Sequence, residues 1–297
     1  MGKYSLVRFL KNIKFLLQYS LKEQETENIY KTLCYAEDLC RYDIMDPDDE
    51  GIKIPNVLPP EESLQLLLDN PKSFARFGDG EVMLIQGQSI AFQEYDERLA
   101  KIMLDAVRGE FPDLYVGINY NYFHTSRHMN EFNRKFYMTN AHKYRQFFLN
   151  NCSLEQTYIA AGFNQMYIIS SDQDLTAYYA KIKMLFRDRD LVIFAGEGIF
   201  DDLDHDVFAL ARSKEYVWGP TRNAFSMYDE LYEKALSYSK DKTLCFILGP
   251  ASKALVCSLS KEGYMAWDIG HLAKDFDFFC KQHTKTPESI SAFFAPD

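Results

Sequence analysis

The sequence predicts an α/β protein built on a mostly parallel sheet with helices on both faces, preceded by an N-terminal helical extension. Short apolar runs rich in β-branched and aromatic residues alternate with segments of helical periodicity over most of the chain. Glycine combined with polar residues follows several of these runs directly. The 297 residues suffice for one large α/β domain with an extension.

The N-terminal segment has the pattern of an amphipathic helix. Apolar residues recur at helical spacing up to Leu21, and Lys3, Arg8, Lys11 and Lys14 supply its charges. Basic residues beside an apolar stripe are typical of a helix on an anionic membrane, so residues 3–21 are a candidate for peripheral membrane contact. The same stripe would also suit packing on the protein's own body or on a second subunit.

The amino-acid composition limits where in the cell the protein is expected and which partners it is expected to bind. No run reaches the roughly eighteen apolar residues of a spanning helix, so we expect a cytoplasmic protein, with the inner membrane face as the site of any peripheral contact. Six cysteines without a CxxC pair fit a reducing compartment and indicate neither a disulfide framework nor a zinc site. The net charge of -10 would repel polyphosphate, so nucleic acid is not an expected partner.

A domain boundary is predicted near residue 59. A second helix is expected over 24–41, and the polar, proline-containing segment 42–60 has the composition of a linker. Prolines followed by Glu61 and Glu62 then start a helix, because the first turn tolerates proline and favours acidic residues. The chain therefore divides into an extension with linker over 1–58 and a catalytic domain over 59–297.

Strands and helices are expected to alternate through that domain. The predicted strands cover residues 74–77, 114–118, 157–160, 191–195, 215–218, 244–248 and 264–268. The predicted helices begin at 60 and 81, cover 97–108 and 127–150, and lie around 172–186, 201–213, 224–239, 251–260 and 271–281. Long separations between successive strands favour parallel pairing through helical crossovers.

Five predicted strand ends combine glycine with polar side chains. They are residues 78–81, 196–198, 219–223, 249–253 and 268–271. Ligands of open α/β sheets sit beyond the carboxyl ends of the strands. We therefore expect these five segments to line one crevice along a single edge of the sheet.

The first of these segments carries the most specific chemistry. Gly78 and Gly80 are expected to allow a turn whose backbone conformations are closed to other residues, so that Asp79 and Glu81 converge on one Mg²⁺ or Mn²⁺ ion. Such ions often use one or two carboxylates together with substrate phosphates. The pair is therefore adequate for a nucleotide diphosphate substrate, although an ordinary surface turn has the same composition.

The order of several motifs resembles the GT-D-fold bacterial glycosyltransferases, a family once known only as a domain of unknown function. The residues that carry the resemblance are Arg76–Glu81 with 87–96, then Val192–Glu197, Asn223–Phe225, Leu248–Ala251 and Ala266–His271, over roughly 73 to 280. The resemblance implies a Rossmann-like domain in which Asp79 and Glu81 bind a metal and a nucleotide sugar, with UDP as the expected nucleotide. Its implied acceptor is a lipid-linked or protein-linked glycan in bacterial surface polysaccharide or glycoprotein biosynthesis.

Two segments depart from the family pattern. The family usually has a basic, glycine-containing stretch after the position of Glu197, whereas residues 198–206 are acidic here. Asp275 and Asp277 stand where glutamate would be expected. Donor contacts near Glu197, and the identity of the donor sugar, therefore do not follow from the resemblance.

Cationic residues near the strand ends are candidates for phosphate contacts. Arg76 is expected either to touch a phosphate oxygen or to orient the acidic pair, and a plain salt bridge with those acids is the alternative. Lys253 lies near a helix N-terminus that already favours an anion, and Arg222 follows another strand. Gly249 and Asp268, at two further strand ends, complete the expected donor-binding set.

The acceptor base has two candidates if the reaction inverts configuration. His271 is a candidate because imidazole groups in general titrate near neutral pH and because it follows the strand end at Asp268, although it also suits a capping role. Glu197 competes for the base role or for a sugar hydroxyl. Asn223 is expected to hydrogen-bond the donor or to cap a helix, and the acidic residues 201–206 are expected to begin a solvated helix.

Two other classes of function stay open from the sequence. A metal-dependent phosphoester or nucleotide hydrolase would also use paired carboxylates and a histidine, but water would then be its only acceptor. A noncatalytic nucleotide-binding scaffold would need neither carboxylate. A dinucleotide fingerprint is excluded because Gly78 and Gly80 are not followed by the third glycine.

Overall fold

The computed structural model describes residues 53–294, except 125, 127 and 173, together with helical positions 9–11, 13, 14, 17, 29, 30 and 33. Most of the predicted helices at 3–21 and 24–41 lies outside the described residues. Elements are numbered below from residue 53 onward.

Eight strands form one sheet within residues 53–294. They are β1 (Asn56–Val57), β2 (Ser73–Phe77), β3 (Leu114–Ile118), β4 (Thr157–Ala160), β5 (Asp190–Gly196), β6 (Ser213–Gly219), β7 (Thr243–Ile247) and β8 (Met265–Asp268). The spatial order is β1-β4-β3-β2-β8-β7-β5-β6, and every described pairing in it is parallel. The predicted α/β class with a parallel sheet is confirmed.

Helices connect the strands and cover both faces. They are α1 (Pro60–Asp69), α2 (Asp79–Ile85), α3 (Glu97–Val107), α4 (Glu131–Asn151), α5 (Met166–Ile169), α6 (Thr176–Met184), α7 (Tyr228–Leu236), α8 (Pro250–Lys261), α9 (Leu272–Cys280) and α10 (Pro287–Phe294). Short 3₁₀ segments follow β3, β4 and β6 at Tyr120–Tyr122, Ala161–Asn164 and Ala224–Met227.

The alternation of side chains along each strand produces two apolar cores. Ala75 and Phe77 of β2 join the core beneath α2, α3, α4, α7 and α8. Phe74 of the same strand points the opposite way and joins the core beneath α1, α5, α6 and α9. There it stacks on Trp267 of β8 at 5.6 Å between ring centroids. The centre of the sheet is therefore buried on both faces, as is expected for parallel strands.

The structure differs from the sequence predictions in two places. Strand β1 lies inside the segment interpreted as a linker, so the sheet begins before the predicted boundary at 59; its two residues are too few to carry a periodic pattern. The helix predicted at 201–213 is wrong, because residues 201–212 form turns. There, the Asp277 carboxylate accepts the backbone N–H groups of Asp204 and His205, and Asp206 accepts that of Phe208. These side-chain bonds replace the helical hydrogen bonds.

A helix must be both long and apolar to cross a membrane. Among the described residues, no helix is both long and apolar enough to cross a bilayer.

The junction between β2 and β8 depends on a buried serine. Ser73 Oγ donates to the Tyr264 carbonyl at 2.9 Å and accepts the Ala266 N–H at 2.9 Å. We expect Ser73→Ala to lower the free energy of unfolding by about 1–3 kcal/mol, because two buried backbone groups lose their partner. The exposed Ser239→Ala should change it by less than about 0.5 kcal/mol. Urea unfolding measures both, and equal effects would contradict this role of Ser73.

Candidate functional site

A crevice opens where the two central strands end. After β2 the chain turns into α2 on one face of the sheet, whereas after β8 it turns into α9 on the other. Adjacent strands whose connections leave toward opposite faces create the usual ligand-binding crevice of an open α/β sheet. The predicted segments 78–81, 249–253 and 268–271 meet at this point.

A buried arginine ties β2 to its neighbours. The Arg76 backbone N–H donates to Asp268 Oδ2 at 3.1 Å, and its Nε donates to the Asp268 carbonyl at 3.0 Å. Its Nη1 donates to Asn164 Oδ1 at 2.8 Å and to the Ala161 carbonyl at 3.2 Å, while Nη2 lies 3.4 Å from Asp268 Oδ1. Arg76 therefore pairs with Asp268, and not with Asp79 or Glu81 as the salt-bridge alternative supposed.

Lys253 links this pair to the acidic motif. Its Nζ lies 3.2 Å from Asp268 Oδ2 and 3.2 Å from Glu81 Oε1, and it donates to the Gly249 carbonyl at 3.3 Å. Its side chain is only 8% exposed, so it is not a solvated surface lysine. Burial alone would raise the pKa of Asp268, but the charges of Arg76 and Lys253 outweigh it and hold that pKa below its usual value.

Glu81 is fixed by the start of helix α2. Gly78 is the N-cap residue, and Glu81 Oε2 accepts its backbone N–H at 2.8 Å. The predicted need for glycine conformations is wrong: Gly78 is extended at φ −112°, and Gly80 lies in the first helical turn without a positive φ. The motif is thus a strand running directly into a helix.

Asp79 occupies the first position of that helix and differs from Glu81 in its surroundings. It is half-buried, and no ion pair joins it to another residue among those described. Burial and the charge of Glu81 raise the pKa of Asp79 above its usual value, while hydrogen bonds from the local backbone and the charge of Lys143 act in the opposite direction. Among the described residues Asp79 therefore has no direct ion-pair partner, and Lys143 acts on it only through its charge at longer range.

An aromatic group lies beside Asp79. The Tyr122 hydroxyl is buried and makes no hydrogen bond in suitable geometry within the described part of the chain. Burial, together with Tyr137 and Asp79, raises the pKa of Tyr122 well above its usual value. Burial and Asp79 likewise raise the pKa of Tyr144 to about 12. The Asn119 side chain acts in the opposite direction and lowers the pKa of Tyr122. Asp79 thus acts electrostatically on two tyrosine hydroxyls, one after β3 and one on α4.

The capacity of this site for a metal follows from its donor set. Within the described residues, no group of three or more His, Cys, Asp or Glu side chains could hold an ion. Asp79 and Glu81 therefore fit only a hard divalent ion whose remaining ligands come from water and substrate phosphates. Glu81 would have to share or release Lys253 to contribute, because its Oε1 lies 3.2 Å from the Lys253 ammonium group. It would also have to reach around the helix toward Asp79, since residues two apart on a helix do not face one another.

Gly249 leaves the N-terminus of α8 open. It has φ +56°, and a Cβ atom at this position would meet no atom within 4 Å. Ser252 Oγ accepts the Leu248 N–H at 2.9 Å, a hydrogen bond that stabilises the turn between β7 and α8. Gly249 thus presents bare backbone at the start of α8, whereas residues 250–253 behind it are buried.

The remaining predicted residues lie farther along the edge or serve other contacts. Glu197 and Arg222 are exposed after β5 and β6. Asn223 has φ +50°, makes no side-chain cap, and accepts Gln93 Nε2 at 2.6 Å and the Glu94 N–H at 3.3 Å, so it joins two loops. The His271 ring packs against Phe293 and Phe294 of α10 at centroid distances of 5.4 and 5.9 Å.

Sequence reasoning missed three residues of this site. Asn119 lies near Gly78, because a Cβ on that glycine would be 3.9 Å from Asn119 Nδ2. Tyr122 follows in the same segment, and Asn164 holds the Ile269 carbonyl at 2.6 Å as well as Arg76. The signal for the first two was the polar run directly after β3, a strand end that lacks the glycine used to select the other segments.

Comparison with known proteins agrees with this geometry. The family model "Glycosyltransferase GT-D fold" matches residues 74–291. A solved structure described as a domain of unknown function 1792 with a distinct glycosyltransferase fold has a TM-score of 0.72 at 32% identity, covering 78% of this chain and 83% of its own. A new glycosyltransferase of that domain type from Streptococcus sanguinis has a TM-score of 0.71 at 29% identity, covering 77% and 85%.

Two curated relatives extend the comparison. The probable glycosyl transferase Gly of Streptococcus gordonii is 30% identical over 80% of this chain and 34% of its own length. Glycosyltransferase GlyD of Streptococcus pneumoniae serotype 4 is 27% identical over 90% of this chain and 32% of its own. The chain thus spans about a third of the length of these relatives. It belongs to the glycosyltransferase GT-D fold family, as its motifs predicted.

The Arg76 side chain also depends on an adjacent glycine. Gly270 has φ +43°, and a Cβ there would overlap Arg76 Nη2. Gly87 has φ +87° with no atom near its missing Cβ, and so provides a matched control. We expect both alanine variants to lose about 1 kcal/mol of stability from backbone strain, and Gly270→Ala to lose about 1–3 kcal/mol more from overpacking. Thermal unfolding measures the difference, and equal losses would show that Arg76 moves aside freely.

Proposed function

We propose that this chain is a metal-dependent glycosyltransferase that uses a nucleoside diphosphate sugar, UDP-linked, and extends a glycan acceptor in bacterial surface polysaccharide or glycoprotein biosynthesis. The observation that carries the proposal is the half-buried Asp79 carboxylate, which forms no direct ion pair with any described residue, beside the Glu81–Lys253–Asp268 network at the end of β2. Family membership supports the transfer of a sugar, and the sparse acidic pair supports a substrate that brings its own phosphates.

Lys253 is the main donor-binding side chain in this proposal. Its ammonium group lies at the first turn of α8, where the positive end of the helix dipole favours an anion. A diphosphate at the open Gly249 turn would compete with Glu81 for this ammonium group. Arg76 acts indirectly, because its hydrogen bonds hold Asp268 in place and Asp268 holds Lys253.

Asp79 and Glu81 are the residues that would hold a Mn²⁺ or Mg²⁺ ion. Such an ion neutralises the negative charge that grows on a leaving diphosphate. The pairing of Glu81 with Lys253 keeps these two charges compensated when no donor is bound. Two residues stay candidates for the base: His271 follows β8, the strand next to β2, and Glu197 is exposed after β5, three strand spacings from β2.

Separate variants test the two parts of the donor site. We expect Asp79→Ala to abolish the increase in UDP-sugar affinity that Mn²⁺ produces, and Lys253→Met to weaken binding both with and without metal. Glu61→Ala, which removes an exposed first-turn carboxylate from α1, should leave both values unchanged. Isothermal titration calorimetry measures these affinities. Metal-independent binding in the wild type, or none for any nucleoside diphosphate sugar, would refute the metal assignment.

We further propose that the N-terminal extension contacts an anionic membrane surface. Phe9, Leu10, Ile13 and Leu17 are exposed, with Lys11 and Lys14 among them. An apolar stripe flanked by lysines matches the interface between headgroups and acyl chains.

Sedimentation with phosphatidylglycerol vesicles tests this contact. Leu10→Glu should release the protein from the vesicles, because it places a negative charge on the apolar stripe. Leu154→Glu, at a comparably exposed leucine in the loop after α4, should not. Equal sedimentation of the two variants, or none for the wild type, would count against membrane contact.

A further inference from the structure

Edge strand β6 carries a pair of exposed aromatic side chains on the face of the sheet that α1, α6 and α9 cover elsewhere. Tyr216 and Trp218 are 39% and 51% exposed, and their rings lie nearly parallel, at 11° with centroids 5.5 Å apart. Phe200 supports both rings from the side, at 5.5 Å from Tyr216 and 6.3 Å from Trp218. These three residues are called the aromatic platform below.

The platform is open because the crossover from β5 to β6 lacks a helix. Tyr216 and Trp218 pair in register with Ile193 and Ala195 of β5, which are fully buried on the same face of the sheet. A crossover between parallel strands usually contains a helix that covers that face. Here residues 197–212 form turns instead. The two rings on β6 therefore stay exposed, whereas the residues beside them on β5 are buried.

Polar groups surround the platform. Lys214 forms an ion pair with Asp206 close to Tyr216. The pKa of Tyr216 is raised mainly by burial; Lys214 lowers it and Asp206 raises it, both by smaller amounts. Asp201 and Asp202 follow Phe200 and are exposed. Flat aromatic faces attract the C–H groups of a sugar ring, and carboxylates at the rim accept hydrogen bonds from its hydroxyls.

We infer that the aromatic platform binds a pyranose ring of the acceptor glycan at a position remote from the transfer site. This inference rests on the proposed function. Trp218 lies near the carboxyl end of β6, on the same sheet edge as Asp79 and Lys253. Strand β6 is four strand spacings from β2, about 19 Å at 4.8 Å per spacing. The acceptor would therefore be an oligosaccharide rather than a single sugar.

A protein partner fits this surface less well than a glycan. Two rings with charged neighbours are much smaller than the roughly 800 Å² that each partner buries in a stable interface. Lys214 and Glu215 on β6, followed by Pro220, discourage pairing of this edge with another strand. A sugar ring needs only the two faces and the rim.

Binding to an array of defined hexose and N-acetylhexosamine oligosaccharides, with the full chain as probe, tests the inference. We expect Trp218→Ala and Tyr216→Ala each to weaken binding of the retained glycan by about tenfold or more, the effect of losing one stacked ring. Trp218→Phe should retain most of the affinity. Phe132→Ala, at a similarly exposed aromatic residue on α4, is the matched control and should bind like the wild type.

Fluorescence adds a direct readout. Trp267 is buried, so the exposed indole of Trp218 should account for any change in tryptophan emission when glycan binds, and Trp218→Phe should abolish that change.

Three results would overturn the inference: no glycan retained, retention unchanged in both alanine variants, or a change of sedimentation coefficient in Trp218→Ala that reveals a subunit interface. Calorimetry of the wild type with UDP-sugars separates this test from that of the proposed function. If the wild type binds glycan through Trp218 but binds no nucleotide sugar, the aromatic platform is supported and the proposed donor site is refuted.

Discussion

The arrangement of the crevice depends on one buried carboxylate. Asp268 is fully buried at the end of β8 and compensates two cations, Arg76 from β2 and Lys253 from α8. Removing such a carboxylate would leave two buried charges uncompensated, which is far more destabilising than losing a surface pair. The central strands, the first turn of α8 and Glu81 of the acidic motif are therefore held in one network.

Within that network, some residues only support the proposed donor site and others are placed to contact a substrate. Arg76 has its donors engaged by protein groups, so its place is behind the site rather than at a substrate. Lys253 is shared between two carboxylates and next to an open glycine turn, so an incoming anion can take one of its contacts. Asp79, in contrast to Glu81 and Asp268, forms no direct ion pair within the described residues, and burial and the charge of Glu81 raise its pKa.

The parallel sheet extends the site beyond this centre. All described strands run in the same direction, so the residues after β5, β6, β7 and β8 share one edge with those after β2. The turns of residues 197–212 leave the end of that edge uncovered. The charged network at the centre of the sheet and the aromatic platform on the edge strand β6 are thus consequences of the same topology.

The sequence alone determined the α/β class, seven of the eight strands and the acidic motif, because alternating apolar runs and glycine-marked strand ends are local signals. Its order of motifs also indicated the family correctly. It did not determine which charges meet: the pairing of Arg76 with Asp268 joins residues 192 positions apart. Nor did it show that turns replace the helix at 201–213, since the Asp277 carboxylate that stabilises them comes from α9. Only the tertiary structure decided these contacts, because burial and distance between remote segments set the strength of charges and hydrogen bonds.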